Sequence, residues 1–260
     1  MKFISCIITV ILSLTGFYAD GQNRENGSGI TSLPVITLDF HFPTADKPQS
    51  KLWYADHSWW AILPDVTGPT LWKRAETGWS EIPEVREKLK GVPGRADVWA
   101  DETLVTAVGV GDSSLTVFRL EKLGGIESVQ WDTKVLAVLN PPVAGTIETA
   151  TIGKELSGLW WVAAATGSKV CVWHSTDGGK IWGKPYILAS GIDPDDICVI
   201  TPLPEGIGVI WSDQVRDAVV MRVHRNGNAP GNWDREILVD SGNKTADDHL
   251  NTVLATDGTL

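Results

Sequence analysis

Two pairs of carboxylates, Asp195–Asp196 and Asp247–Asp248, recur 52 residues apart, and His249 follows the second pair directly. Carboxylates crowded together push their pKa values apart, so one can hold a proton that its neighbour has released. Such a group can protonate a leaving oxygen or take a proton from water. Asp196, Asp248 and His249 are therefore the catalytic candidates. Arg95, Asp97, Glu148, Asp195, Asp247 and Arg216 are the ligand-binding candidates, since they would hold sugar hydroxyls or a cation without turning anything over. A competing reading applies to the acidic pairs. Asp at a strand entry accepts backbone amides and caps a turn, and recurrence at equivalent positions is what a scaffold role produces. His249 departs from the repeat, because the earlier unit has Ile197 there.

The elements that must position these residues follow from a repeat. Trp79, Trp131, Trp182 and Trp233 each precede a short apolar run, at separations of 52, 51 and 51 residues. A second landmark, the polar opening of "RADVWAD", "ETATIGK", "DDICVIT" and "DDHLNTV", returns at 53, 47 and 52. Two more β-branched or alternating runs lie between the landmarks in each unit, bounded by Gly, Asp and Pro. These are strand signals, and only residues 81–90 show helical spacing. Four strands per unit at a period near fifty predict an all-β propeller of four-stranded antiparallel blades. The expected blades lie near 51–83, 95–139, 148–188 and 195–239, with a fifth opening at 247. Closure of a propeller removes its strand edges. The chain is therefore expected to be the N-terminal part of a longer propeller, with Val35–Phe42 as the strand completing the last blade.

In such a blade, inner-strand entries and second-to-third-strand turns share one end of the axis. That end collects the candidates above, with Asp65, Asp112, Lys169, Asp213 and Gln214 from the second set of turns. The third-to-fourth turns occupy the other end. One of them, "STDGGKIW", has Ser175, Asp177, Gly179 and Trp182 in the spacing S-x-D-x-G-x-x-W. An Asp there can accept turn amides while Gly supplies positive φ. Calcium fails on ligand count: it wants about six oxygens, and Asp177 is the only acidic residue between Glu155 and Asp193. No metal or other cofactor is expected. The turn resembles the Asp-box of the sialidase-like, or BNR-repeat, propellers, and that resemblance implies a structural role on the face away from the binding centre and a complete propeller of six or seven blades. The fourth unit carries a degenerate version, and the first two keep only the Trp.

Sialidases also need three arginines, a Tyr activated by a Glu, and an acidic Asp. The early R-I-P pattern is absent, and Tyr54 and Tyr186, the only tyrosines after the N-terminal segment, lie at no inner-strand entry. Sialidase activity is thus disfavoured. A polysaccharide lyase or glycoside hydrolase at the axial opening, and a non-catalytic binding propeller, remain open.

Composition sets the compartment and the partners. Lys2 and the apolar run from Ile4 to Phe17 have the form of a signal peptide over residues 1–22, shorter than the roughly 20 apolar residues of a membrane span. Residues 23–260 are then an exported domain, secreted or periplasmic, without membrane insertion. A net charge of −10 argues against nucleic acid as a partner. An extracellular glycan or small ligand fits better. Cys171 and Cys198, alone in a long exported domain, read as buried free thiols. The 13 tryptophans need an architectural or sugar-stacking cause.

Overall fold

The computed structural model describes residues 36–45, 48–124, 130–257 and 259–260. The signal-peptide reading lies outside these residues. The chain is all-β, with four antiparallel four-stranded blades arranged as a β-propeller. Blade 1 comprises β1 (Leu52–Ala55), β2 (Ser58–Asp65), β3 (Gly68–Ala75) and β4 (Gly78–Glu81). Blade 2 comprises β5 (Ala96–Ala100), β6 (Leu104–Val110), β7 (Leu115–Leu123) and β8 (Gln130–Leu139). Blade 3 follows as β9 (Ile147–Lys154), β10 (Trp160–Thr166), β11 (Lys169–Ser175) and β12 (Tyr186–Ser190). Blade 4 has β13 (Cys198–Leu203), β14 (Gly206–Asp213), β15 (Ala218–Arg225) and β16 (Ile237–Ser241). Among the described residues the single helix, α1 (Pro83–Lys88), starts on a proline whose fixed φ suits a first helical turn. Its Val85, with Leu89 just beyond, joins the core between blades 1 and 2.

The middle strands are buried on both faces and therefore read as unbroken apolar runs rather than alternating ones. In β10, Trp160, Val162 and Ala164 join the core shared with blade 2, while Trp161, Ala163 and Ala165 join the core shared with blade 4. Each junction also contains an edge-to-face tryptophan pair. Trp60 meets Trp131 at 5.3 Å, Trp99 meets Trp160 at 4.9 Å, and Trp161 meets Trp233 at 5.4 Å, with interplanar angles of 80–85°. This geometry suits the positive ring edge on the negative ring face, and adds to the large area each indole buries. The excess of tryptophan is mainly architectural.

Two expected strands are absent among the described residues, which do not include Val35. Ile36–Phe42 has no strand pairing; it runs in bends, tied to the second-to-third turn of blade 1 by Val66 N–H on Asp39 O at 3.1 Å. The "DDHLNTV" segment also carries no strand, although Thr252 hydrogen-bonds Thr201 of β13 through their hydroxyls. An inner strand is held by the second strand of its own blade, and among the described residues no strand pairs with this one.

Candidate functional site

Register separates the two ends of a blade. In blade 3, Ile147 at the start of β9 lies across from Thr166, which pairs Lys169; at the other end Lys154 lies across from Trp160, which pairs Ser175. Strand entries and second-to-third turns thus share one end, and the Ser175–Trp182 turn belongs to the other.

Along the axis the inner strands are tied by side chains that accept backbone amides of the next blade. Asp97 on β5 takes Ser50 N–H on Oδ1 at 2.5 Å and Ile152 N–H of β9 on Oδ2 at 2.7 Å. Thr151 Oγ1 takes Ile200 N–H of β13 at 2.9 Å. Arg95 Nη2 donates to Glu148 O at 2.9 Å, and Gln49 Nε2 to Ala150 O at 3.2 Å. Burial pushes the Asp97 carboxyl up to about 7, against the pull of the Ile152 and Ser50 amides and the Lys51 ammonium. Between these strands and the 251–254 segment is a cavity of about 230 Å³. Its polar lining is Ser50, Asp97, Thr151, Thr201, Asn251 and Thr252, with the Trp99 ring and aliphatic side chains making the rest.

The sequence candidates do not form one constellation. Asp196 is completely buried at the entry to β13. Its carboxylate accepts Asp193 N–H at 2.7 Å and Gln214 N–H at 3.2 Å, closing the turn against the end of β14. Burial raises its pKa, opposed by the Ser212 hydroxyl and those amides. Asp195 is exposed and donates its N–H to Asp193. Arg216 is held by Asp213 at 2.5 Å and by both Glu236 oxygens at 2.8 and 3.3 Å. Those two carboxylates, Glu236 foremost, raise its pKa, and they take donors a substrate carboxylate would need. His249 Nδ1 lies 2.5 Å from Asp248 and 3.3 Å from Asp247. The three ligand atoms fall within 4.8 Å of one another, yet they come from consecutive residues on the surface.

Sequence reasoning missed a buried polar cluster between blades 3 and 4. Glu155 and His224 are 2% and 1% exposed. Glu155 Oε1 accepts Trp161 Nε1–H at 2.9 Å and faces His224 Nδ1 at 2.9 Å, while Oε2 accepts the Ser157 hydroxyl at 2.6 Å. His224 Nε2 faces Ala229 O at 3.2 Å. A lone Glu after an inner strand gives no periodic signal, and only the packing of two blades brings a histidine to it.

The Ser175–Trp182 turn is closed by its own groups. Asp177 Oδ1 accepts the N–H groups of Lys180 and Ile181 at 3.1 and 2.9 Å and the Ser175 hydroxyl at 2.8 Å. Gly178 and Gly179 sit at φ 78° and 84°, where a side chain would be strained. Trp182 is half-buried and donates Nε1–H to Gly179 O; Trp233 repeats the contact on Pro230 O. Arg119 of blade 2 stacks on Trp160 and donates to Gly178 O, so the turn also clasps two blades. The Ile181 amide and the Ser175 hydroxyl hold the Asp177 pKa below its usual value. Asp177→Ala should lower Tm by a few degrees and leave any ligand binding at the axis unchanged; a normal Tm with lost binding would reverse this assignment.

No family model and no curated protein matches the chain. Among solved structures, it is similar to a protein of unknown function from Dyadobacter fermentans DSM 18053, at 12% identity and a TM-score of 0.45. The match covers 75% of this chain and 57% of that one, so this chain spans little more than half of its length.

Proposed function

We propose that this chain is an exported propeller of the sialidase-like superfamily that binds extracellular glycans at the axial cavity without processing them. One observation carries the reading: the cavity offers neutral hydroxyl and amide groups, while both oxygens of its one carboxyl are committed to backbone amides. Sugar hydroxyls are matched by such groups, and chemistry on a glycosidic bond would need a carboxyl free to exchange a proton. About 230 Å³ is below the roughly 300 Å³ at which drug-sized sites begin, so it suits a single sugar residue or chain end. Export rests on the form of residues 1–22, and superfamily membership on the blade period and the S-x-D-x-G-x-x-W turn.

A hydrolase or lyase reading draws on Asp97 alone, whose pKa of about 7 lies where a general acid works. Glycan-array binding followed by calorimetry separates the two. Binding should be saturable, should yield no product on prolonged incubation, and should weaken at least about tenfold in Asn251→Ala/Thr252→Val, equivalent to about 1.4 kcal/mol. Release of shortened or unsaturated product, lost in Asp97→Asn, would replace the binding reading with the enzymatic one.

A further inference from the structure

Blade 1 carries a second pocket, at the hairpin end, away from the axial cavity. It measures about 470 Å³, within the usual range of ligand sites, and its lining includes His57, Trp59, Lys73, Arg74 and Glu76. Strand alternation decides what it presents. Trp60 pairs Lys73 and belongs to the core shared with blade 2, so Trp59 and Arg74 take the opposite face. Tyr54 pairs Trp59 and Arg74 pairs Trp79, which makes one cross-strand row of three aromatic rings and a guanidinium.

Three features make this row a preformed site. Trp59 is 50% exposed, yet its ring is braced by the edge of Tyr54 at 5.4 Å and 64°. A flat, partly dry ring on a paired strand suits the apolar C–H face of a pyranose and loses little entropy on binding. The turn beside it is also set: Asp56 and His57 both have positive φ, and Asp56 is paired with Lys122 of blade 2. Finally, Arg74 Nη1 is shielded from solvent and has no hydrogen-bond partner. A cation that has already given up part of its hydration in the folded state binds an incoming carboxylate more strongly than a fully solvated one. Lys73 also lines the pocket, but its ammonium lies over the Trp60 ring at 5.2 Å, on the opposite face, so the positive charge of the row is that of Arg74.

From this arrangement we infer that the Trp59–Arg74 pocket binds a pyranose carrying a carboxylate, a uronic acid residue, with the ring on Trp59 and the carboxylate on Arg74. The inference is independent of the axial site. The uronate charge supplies selectivity over neutral sugars.

Calorimetry of the whole chain with trigalacturonate, and with cellotriose as the neutral control, tests it. Trigalacturonate should bind saturably and at least about tenfold more tightly than cellotriose at low salt, with the preference shrinking as salt screens the pair. In the Asn251→Ala/Thr252→Val background, which removes the axial contribution, Trp59→Ala should abolish binding and Trp59→Tyr retain it. Arg74→Gln should remove the preference and Arg74→Lys restore part of it, while Asn251→Ala/Thr252→Val should leave uronate binding untouched. Unchanged Tm in each variant separates lost contact from lost fold. Absent binding, equal affinity for both probes, or insensitivity to Trp59→Ala and Arg74→Gln would each overturn the assignment.

Discussion

Glu155→Ala is expected to destabilise the fold by about 3–5 kcal/mol, because each buried group left without its hydrogen-bond partner costs about 1–3 kcal/mol. The truncation strips an acceptor from three donors at once: the Trp161 indole, the Ser157 hydroxyl and the His224 ring. All sit where blades 3 and 4 meet, and Trp161 also packs edge-on against Trp233. The loss should therefore reach beyond the hydrogen bonds, loosening the junction that holds blade 4. Glu155→Gln, which keeps one acceptor oxygen, should lose less. Urea unfolding followed by tryptophan fluorescence reads both. A loss below about 1 kcal/mol in Glu155→Ala, the scale of a single exposed pair, would show that the cluster does not hold the blades.

The second large effect concerns pH. The unfolded chain releases the Asp97 proton near the ordinary 3.8, whereas the folded chain holds it to about 7. Below the lower value both states are protonated, and the contribution of Asp97 to stability is whole. Between the two values only the unfolded state ionises, so stability falls as pH rises; above about 7 the loss is complete. A gap of that size corresponds to about 4 kcal/mol. The lowered carboxyls of Asp65 and Asp177 slope the other way, losing their contribution as pH falls. The measurement is thus the difference between the native chain and Asp97→Asn, followed from roughly pH 4.5 to pH 8 by urea unfolding. The native chain should lose ground to the variant steadily across that range. A flat difference would mean that the Ser50 and Ile152 amides outweigh burial and keep Asp97 ionised throughout.

Four blades were legible because their strands are short and punctuated by turn residues, with the middle pair of each blade buried on both faces. Such strands leave a period in the sequence that needs no contact to be read: Trp79, Trp131, Trp182 and Trp233 mark it, and β4, β8, β12 and β16 lie at or after those positions. The turn at Ser175–Trp182 was legible for the same reason, since its hydrogen bonds close within seven residues. Local pattern failed where a segment depends on a partner far along the chain. "DDHLNTV" has the opening of an inner strand, but pairing is a property of two segments, and this one has none.

The candidate site failed more instructively. Asp97, Asp196 and Arg216 were visible as charges at strand entries and turns, which is where chemistry would need them. What spends them is invisible in one dimension: an amide 55 residues away for Asp97, a Gln214 amide across the turn for Asp196, and Glu236 for Arg216. The sequence by itself determined the blade, because alternation, β-branching and turn residues act over a few positions. Only the tertiary structure decided which charges stay free to meet a ligand, because a buried carboxylate takes its hydrogen bonds from whichever blade is packed beside it.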